Sequence, residues 1–360
     1  MFRDSFNRFF PAPKFLVLPS FGLDISDESI KFIELVKEKK DIRVIHCGEK
    51  KIPAGIIQSG KIKNPKEMEK ILISLGTEEG IKSVRVSLPE EQVYLFNLKL
   101  GKSGLENIRE GIELSLEEHI PVGAQDAIFD YELLGEDEHN LKLQVAAIPK
   151  VVIEDYLSVF KNSMISVKSF ELEAQAIARA VIKKGDLETY MIVDFGNKRT
   201  GIFIVSRGVA IFTSTLDVGG AMLTNMIEKN FGISFKEAEE KKKECGLKRN
   251  ATNGEMFSVL LNGVSVLRDE VVKHFLYWHT HKDEEGKDRP SIKKVILCGG
   301  DSNLIGLTDY LSVSLKTKVE LADVWINIKD TKKNIPEIGF NESLTIASAL
   351  GLALGNLEHE

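Results

Sequence analysis

The chain has 360 residues, which is enough for two or three domains of roughly 150 residues each. Hydrophobic residues make up 43% of the chain and charged residues 28%, and the formal net charge is −6. A mildly acidic chain lacks the excess of basic side chains that general nucleic-acid binding requires, so we expect no nucleic-acid partner. The three cysteines, Cys47, Cys245 and Cys298, have none of the spacings of a disulfide framework or a zinc site, which fits a reducing cytoplasm.

The first twenty residues are rich in phenylalanine and proline. Asp4, Pro11, Pro13 and Pro19 interrupt any apolar run, so the segment does not resemble a secretory signal. Two interpretations of the tail, residues 1–20, stay open: it packs on its own domain, or it docks on a partner or a membrane surface. No apolar run in the chain reaches the roughly 18 to 20 residues of a membrane helix. We therefore expect a soluble, intracellular protein that inserts into no membrane directly and meets a membrane only through a partner.

The following segments alternate between strand and helix patterns. The periodicity of apolar residues predicts strands over 21–25, 30–36, 42–51, 84–88, 92–98, 127–134, 141–148, 190–195, 201–206, 210–215 and 294–297. It predicts helices over 65–75, 105–120, 150–160, 172–183, 222–231, 235–245 and 259–281. The order β-α-β-β-α over residues 91–162 indicates an α+β insertion between two stretches that resemble each other. Strands that repeatedly feed helices are typical of an α/β fold with helices on the sheet faces.

An internal repeat is the most informative feature of the sequence. Each copy is a buried strand that ends in an aspartate (Asp24 or Asp194), turns at a small residue (Ser26 or Gly196) and returns as a second strand. Small turn residues let backbone N–H groups approach phosphate oxygens, and a hydroxyl at Thr200 adds to the second turn. An aspartate at a strand end can hold magnesium through water. One such turn is common in proteins, but two copies favour a pair of hairpins that hold phosphates and magnesium across a cleft.

Two glycine turns accompany the repeat. Gly299, Gly300 and Asp301 follow an apolar strand, and we expect a helix to begin directly after them. Gly219 and Gly220 precede another predicted helix. Glycine lets the backbone touch a flat ring or a phosphate, and a helix N-terminus favours negative charge. The first of these turns is equally well explained as a simple connection from strand to helix.

This order of features resembles the actin-like ATPase superfamily. Within it, the chain resembles the family of the type IV pilus assembly protein PilM and, more distantly, the cell-division protein FtsA. The likeness lies in these segments: GLDISDESIKFIEL (22–35), SLPEEQVYLFNLKL (87–100), VAAIPKVVIEDYL (145–157), FELEAQAIARAV (170–181), DVGGAMLTNMI (217–227), ISFKEAEEKKKECGL (233–247) and SLTIASALGLALG (343–355). The resemblance implies an α/β, actin-like (ribonuclease H-like) fold of two lobes with an inserted α+β subdomain. The first lobe would comprise residues 21–90, 163–190 and 336–360, the insertion 91–162, and the second lobe 191–335.

The resemblance also implies ATP and magnesium as ligands. Asp24 and Asp194 would face magnesium, and the phosphates would contact Ser26, Gly196, Asn197 and Thr200. The rest of the nucleotide site would comprise Gly219, Gly220, Glu239, Lys242, Gly299, Gly300, Asp301 and Asn303, with Glu239 and Lys242 on the ribose and base. These two residues also lie in a charge run, Lys236–Lys243, whose ordinary interpretation is a solvated helix face. Glu171 would position water, and the last helix, with Gly351, would close the cleft.

The function implied is an ATP-binding scaffold of type IV pilus assembly, or of a related secretion machine, with slow hydrolysis at most. Its expected partners are the N-terminal cytoplasmic peptide of a PilN-like membrane protein and other pilus components of the inner membrane. The peptide would lie between the first lobe and the insertion. Two alternatives stay open, an FtsA-like membrane adaptor that polymerises and a small-molecule kinase of the same superfamily. The sequence also leaves a homo-oligomer open.

Overall fold

The computed structural model describes residues 20–38, 41–102, 107–283, 286–328 and 338–358. These residues divide into two compact units, the first comprising those up to Ala180 together with Ile328 and residues 348–358, and the second comprising those between Val181 and Asn327 together with residues 338–347. Apart from Ser20, the predicted tail lies outside the described residues. The predicted division into a tail, two lobes and an insertion stays a prediction.

The helices and strands alternate along the chain. The strands are β1 (Phe21–Ile25), β2 (Ser29–Glu38), β3 (Asp41–Lys51), β4 (Ile57–Gln58), β5 (Lys61–Ile62), β6 (Ser83–Leu88), β7 (Tyr94–Gly101), β8 (Ala127–Glu136), β9 (Asn140–Pro149), β10 (Ser166–Leu172), β11 (Thr189–Phe195), β12 (Thr200–Ser206), β13 (Val209–Leu216), β14 (Ile292–Cys298) and β15 (Val319–Leu321). The helices are α1 (Pro65–Glu78), α2 (Ile108–His119), α3 (Lys150–Lys161), α4 (Glu173–Val181), α5 (Gly220–Phe231), α6 (Phe235–Cys245), α7 (Gly254–Thr280), α8 (Leu307–Leu315), α9 (Phe340–Ser343) and α10 (Ala347–Glu358). Among the described helices, none combines the length and the apolar composition needed to cross a bilayer.

The first unit is built on a five-stranded sheet in the order β10-β6-β1-β2-β3. Strand β1 pairs antiparallel with β2 and parallel with β6, and all five of its residues are buried. This burial follows from its central place, because such a strand is covered on both faces. Leu23, Phe32 and Val84 from the sheet pack with Met68 and Leu72 from α1 in one core.

Helix α1 shows why the predicted elements form where they do. The side chain of Asn64 accepts a hydrogen bond from the Glu67 backbone N–H at 3.3 Å, and Pro65 occupies the first helical position. Both features are typical of a helix N-terminus. Met68, Leu72 and Leu75 then recur at helical spacing and are buried, so one apolar face of the helix packs against the sheet.

The insertion has the element order that the sequence predicts. Its strands form a separate antiparallel sheet in the order β7-β9-β8, and α2 packs on one face of this sheet. Leu98, Phe129, Leu143, Ile112 and Leu116 form the core between them. Helix α2 begins at Ile108 rather than at residue 105, which lies outside the described residues.

The prediction for residues 166–172 was incomplete. The sequence predicts a helix from residue 172, whereas the structure has strand β10 over Ser166–Leu172 and helix α4 only from Glu173. Strand β10 lies at the edge of its sheet and is only partly buried, so it lacks the continuous apolar run of β1. Glu171 therefore lies in a strand and not in a helix.

The second unit repeats the sheet of the first. Its order is β13-β12-β11-β14-β15, with β11 antiparallel to β12 and parallel to β14. Each sheet thus has a central strand with a two-strand meander on one side and two parallel strands on the other. Met191, Val193 and Val295 from this sheet share a core with Leu260 and Leu267 from α7.

The predicted repeat is confirmed at the level of individual hydrogen bonds. Asp24 and Asp194 are each the next-to-last residue of the central strand. In both hairpins the residue after the strand donates its backbone N–H to the carbonyl three residues on: Ser26 to Ser29 and Gly196 to Arg199, each at 2.9 Å. The two copies therefore share a turn as well as a sequence pattern.

Candidate functional site

The hairpin that carries Asp194 is joined to the start of helix α5. A Cβ atom on Gly219 would lie 2.3 Å from the Asn197 carbonyl oxygen, so only glycine fits there. The first amides of α5 donate to the hairpin turn, Gly220 N–H to the Gly196 carbonyl at 3.0 Å and Ala221 N–H to the Asn197 carbonyl at 2.8 Å. Because these amides are engaged, the start of α5 serves to hold the hairpin turn in place.

Thr200 strengthens the same junction. Its side chain is fully buried, and its hydroxyl donates to the Val218 carbonyl at 2.6 Å. The hydroxyl thereby links the end of the hairpin turn to the residues before α5. Its predicted contact with phosphate stays a prediction.

The turn after strand β14 lies against the end of β11. Asp194 and Cys298 are partners in the parallel register, and Asp301 N–H donates to the Phe195 carbonyl at 3.0 Å. Gly299 has a φ of +89°, and a Cβ atom there would lie 2.5 Å from Asp194 Oδ1. Glycine is needed at this position both for the left-handed backbone and for the close approach to the carboxylate.

The prediction of a helix directly after Gly300 was wrong. Residues 301–306 form turns, and helix α8 begins at Leu307 after Gly306, which has a φ of +83°. The argument that a helix N-terminus at this turn favours an anion therefore does not hold. Of the two glycine turns, the one with Gly219 and Gly220 stands at the start of a helix.

The glycines differ in what surrounds them. Cβ atoms on Gly219, Gly220 or Gly299 would lie within 2.5 Å of protein atoms, so these three glycines allow close packing within the protein. Among the described residues, a Cβ on Gly196 would meet the Arg199 carbonyl oxygen at 3.0 Å, which is a tight contact, and one on Gly300 would meet only Thr345 Cγ2, at the ordinary contact distance of 3.4 Å. Gly300 thus leaves room beside its backbone, as the close approach of a phosphate or a flat ring requires.

A buried ion pair connects α6 to this region. Lys242 Nζ lies 2.6 Å from Asp301 Oδ1 and 2.8 Å from Glu239 Oε2, and its side chain is only 2% exposed. Glu239 Oε2 also accepts a hydrogen bond from the Thr224 hydroxyl at 2.6 Å. The solvated interpretation of the charge run is therefore wrong for Lys242, whereas Lys243 on the same helix is exposed.

The pKa values of the two acids in this cluster are shifted in opposite directions. Burial raises the pKa of Asp301 above its usual value, although Lys242 opposes this shift. Burial also acts to raise the pKa of Glu239, but hydrogen bonds from Lys242 and Thr224 outweigh it and lower that pKa. Because Glu239 also remains partly exposed, it is the acid of the cluster better suited to receive a polar ligand.

The other residues of the second unit that were considered as nucleotide contacts lie at or near its surface. Asn197 and Lys198 are exposed at the tip of the hairpin, and Asn303 is half-buried in the turn before α8. Arg199 Nε lies 3.4 Å from Asp217 Oδ1, so this basic residue faces an acid of the neighbouring turn. The structure brings the predicted residues of this unit into one neighbourhood around Asp194 and the two glycine turns.

Asp24 of the first unit is buried and has two serine partners that the sequence did not reveal. Its Oδ1 accepts hydrogen bonds from the Ser87 hydroxyl at 2.8 Å and from the Ser348 hydroxyl at 3.1 Å. Ser26 is exposed, and its own hydroxyl donates to the Ser29 carbonyl at 3.0 Å. The predicted contacts of Asp24 and Ser26 with magnesium and phosphate stay predictions.

Glu171 is held by two arginines. Its Oε1 lies 2.6 Å from Arg85 Nη1 and its Oε2 lies 2.8 Å from Arg179 Nη1. Arg179 Nη1 also donates to the Gly351 carbonyl at 2.9 Å, and Arg85 Nε donates to Asn356 Oδ1 at 2.8 Å. These contacts join β10 to the last helix, and the predicted positioning of water by Glu171 stays a prediction.

Two copies of one sheet order, each with an aspartate hairpin on its central strand, define the class of protein: it has the actin-like ATPase fold. Solved structures agree. A PilM–PilN type IV pilus biogenesis complex matches with a TM-score of 0.77 and 19% identity, covering 94% of this chain and 99% of that chain. MreB 5 of Spiroplasma citri bound to AMPPNP matches with a TM-score of 0.57 and 15% identity, covering 96% and 99%. The ethanolamine utilization protein EutJ of Carboxydothermus hydrogenoformans matches with a TM-score of 0.55 and 16% identity, covering 96% and 91%.

The sequence model of the type IV pilus assembly protein PilM matches residues 22–357, nearly the whole chain. The chain therefore belongs to this family. The match confirms the predicted resemblance and favours pilus assembly over the FtsA-like and kinase alternatives.

Proposed function

We propose that the chain is a nucleotide-binding scaffold of type IV pilus assembly and that its nucleotide is ATP with magnesium. The observation that carries the proposal is the half-buried carboxylate of Asp194 against the Gly299–Gly300 turn, where the backbone of Gly300 has room beside it. The phosphates would contact the backbone of the hairpin turn at Gly196 and Asn197. The adenosine would lie against Gly300 and Asn303, with Glu239 as the acceptor for a ribose hydroxyl.

Asp194 is the residue of this unit that would hold magnesium. Magnesium in nucleotide sites commonly keeps several waters and takes one or two carboxylates together with substrate phosphates. Among the described residues, no group of three His, Cys, Asp or Glu side chains is placed to hold a metal ion. A single aspartate that acts through water is compatible with a magnesium ion whose other ligands are waters and phosphate oxygens. The ion would neutralise phosphate charge and orient the phosphates.

We also propose that the partner is the N-terminal cytoplasmic peptide of a PilN-like membrane protein, through which the chain reaches other pilus components at the inner membrane. The similarity to a PilM–PilN complex supports this partner. An open groove in the first unit fits it: the end of α3 and the start of β10 line the groove with Leu157, Phe160, Lys161, Ile165 and Val167. This groove lies where the insertion returns to the first sheet.

A peptide titration tests the partner. A fluorescently labelled synthetic peptide, copied from the N-terminus of the candidate partner, is titrated with the wild-type protein and with Leu157→Asp. Leu157 is 45% exposed, so a charge there should weaken binding at least tenfold without unfolding the unit. Val313→Asp is the matched control, because Val313 is 79% exposed on α8 of the other unit. Equal binding by Leu157→Asp and the control would reject the groove.

A further inference from the structure

Lys242 carries three oxygen partners on one amine. Its Nζ donates to Asp301 Oδ1 at 2.6 Å and to the Gly220 carbonyl at 3.2 Å, and it lies 2.8 Å from Glu239 Oε2. A lysine ammonium has three N–H donors. These three partners match all three donors, and the side chain is 2% exposed, so the amine is committed to the protein.

The three partners belong to three separate segments. Gly220 is the first residue of α5, Glu239 lies in α6, and Asp301 lies in the turn after β14. Gly220 and Asp301 are also in direct contact, because a Cβ on Gly220 would lie 2.0 Å from the Asp301 carboxylate. The amine therefore joins the two glycine turns, 219–220 and 299–301, to each other and to α6.

We propose that Lys242 is a positioning residue that fixes the two glycine turns relative to each other and so sets the shape of the nucleotide site, without itself contacting the nucleotide. The role toward nucleotide rests on the proposed function, whereas the role within the protein does not. Loss of the amine would leave the carboxylates of Glu239 and Asp301 near each other without their shared cation. Buried acids in that state repel each other and draw in water, which would separate the turns.

The test compares Lys242→Met with the double variant Lys242→Met/Asp301→Leu. Apolar residues of similar volume can replace a buried ion pair with little loss of stability. We expect the dissociation constant for ATP to rise at least tenfold in the single variant; the double variant serves only the exchange measurement, because Asp301 is itself a predicted residue of the nucleotide site. Lys241→Met is the control, because Lys241 lies on the same helix with a 44% exposed side chain.

Amide hydrogen exchange supplies a readout that does not depend on nucleotide. The amides of residues 220–222 and 299–303 should exchange at least tenfold faster in Lys242→Met and should recover protection in the double variant. A Lys242→Met variant that exchanges faster but binds ATP within twofold of wild type would overturn the proposal, because the arrangement of the turns would then not set the nucleotide site. A single variant with unchanged exchange would also overturn it. If the wild-type protein binds no nucleotide, the proposed function fails and exchange alone decides the role of Lys242.

Discussion

The hydroxyl of Ser348 donates a hydrogen bond to Oδ1 of Asp24 at 3.1 Å, so the last helix is tied to the strand that carries the first repeat. Ser87, on β6, donates to the same oxygen atom at 2.8 Å. The backbone of β1 also contacts this helix, because a Cβ on Gly22 would lie 2.0 Å from the Ala349 carbonyl oxygen. The position of strand β1 and the position of the last helix are therefore coupled through one buried carboxylate, that of Asp24.

This coupling predicts non-additive effects of the two serines. Ser87→Ala and Ser348→Ala should each lower the free energy of unfolding by about 1 kcal/mol, because Asp24 keeps one of the two hydrogen bonds. The double variant should lose more than the sum, because the buried oxygen then lacks both serine donors. Urea unfolding of the four proteins measures the coupling. Strict additivity would show that the two hydroxyls act independently.

Gly351 should not tolerate alanine. A Cβ at this position would lie 1.7 Å from the Ala176 carbonyl oxygen, so α10 would have to move away from α4. We expect Gly351→Ala to lower the free energy of unfolding by about 2 kcal/mol or more. Gly101→Ala is the control, because a Cβ there meets no atom of the described residues within 4 Å. Equal stability of the two variants in urea would contradict the packing of α10 on α4.

Glu171 should contribute to the free energy of unfolding. Glu171→Gln removes the charge shared by Arg85 and Arg179, and we expect a loss of about 1–3 kcal/mol, as for hydrogen bonds to charged groups. Nucleotide affinity should change less than twofold. Glu110→Gln, at an exposed position in α2, controls for the loss of one negative charge. Wild-type stability combined with a large loss of ATP turnover would instead support the predicted positioning of water.

We expect His274 to make the free energy of unfolding depend on pH. Its side chain contacts Phe212 and lies near Glu270, and burial, together with Lys273, lowers the pKa of His274 below its usual value. Below about pH 6.5 the unfolded chain then binds a proton that the native state resists, so the free energy of unfolding falls as the pH decreases from about 7 to 5. His274→Gln should flatten this dependence in urea unfolding. Parallel curves for variant and wild type would exclude His274 as a source of the dependence.

The fold could be predicted to the extent that it follows from local patterns. The buried strands that carry Asp24 and Asp194 have apolar runs before these aspartates, and their turns contain small residues, so the sequence predicted the repeat. Strand β10 was missed because an edge strand mixes polar and apolar residues. The helix after Gly300 was misplaced because Gly306, with its left-handed backbone, delays the helix start to Leu307.

The site could be predicted less completely, because its contacts join distant parts of the chain. The pattern of α6 shows only a charge run, and Asp301, one of the two acids that pair with Lys242, lies 59 residues further on. The partners of Asp24 are separated from it by 63 and 324 residues. A single sequence identifies such side chains as polar but does not show which of them meet. Glu171 illustrates the same limit, since neither of its arginines is a sequence neighbour.

The central claim is that the Asp194 hairpin and the glycine turns bind ATP with magnesium. The most direct test is isothermal titration of the nucleotide-free protein with ATP and magnesium, comparing wild type, Asp194→Ala and the exposed control Asp309→Ala. Extraction beforehand establishes whether the purified protein retains nucleotide. We predict micromolar binding by wild type and Asp309→Ala and at least a tenfold loss in Asp194→Ala. A folded, nucleotide-free wild-type protein that binds no ATP would contradict the claim, as would undiminished binding by Asp194→Ala.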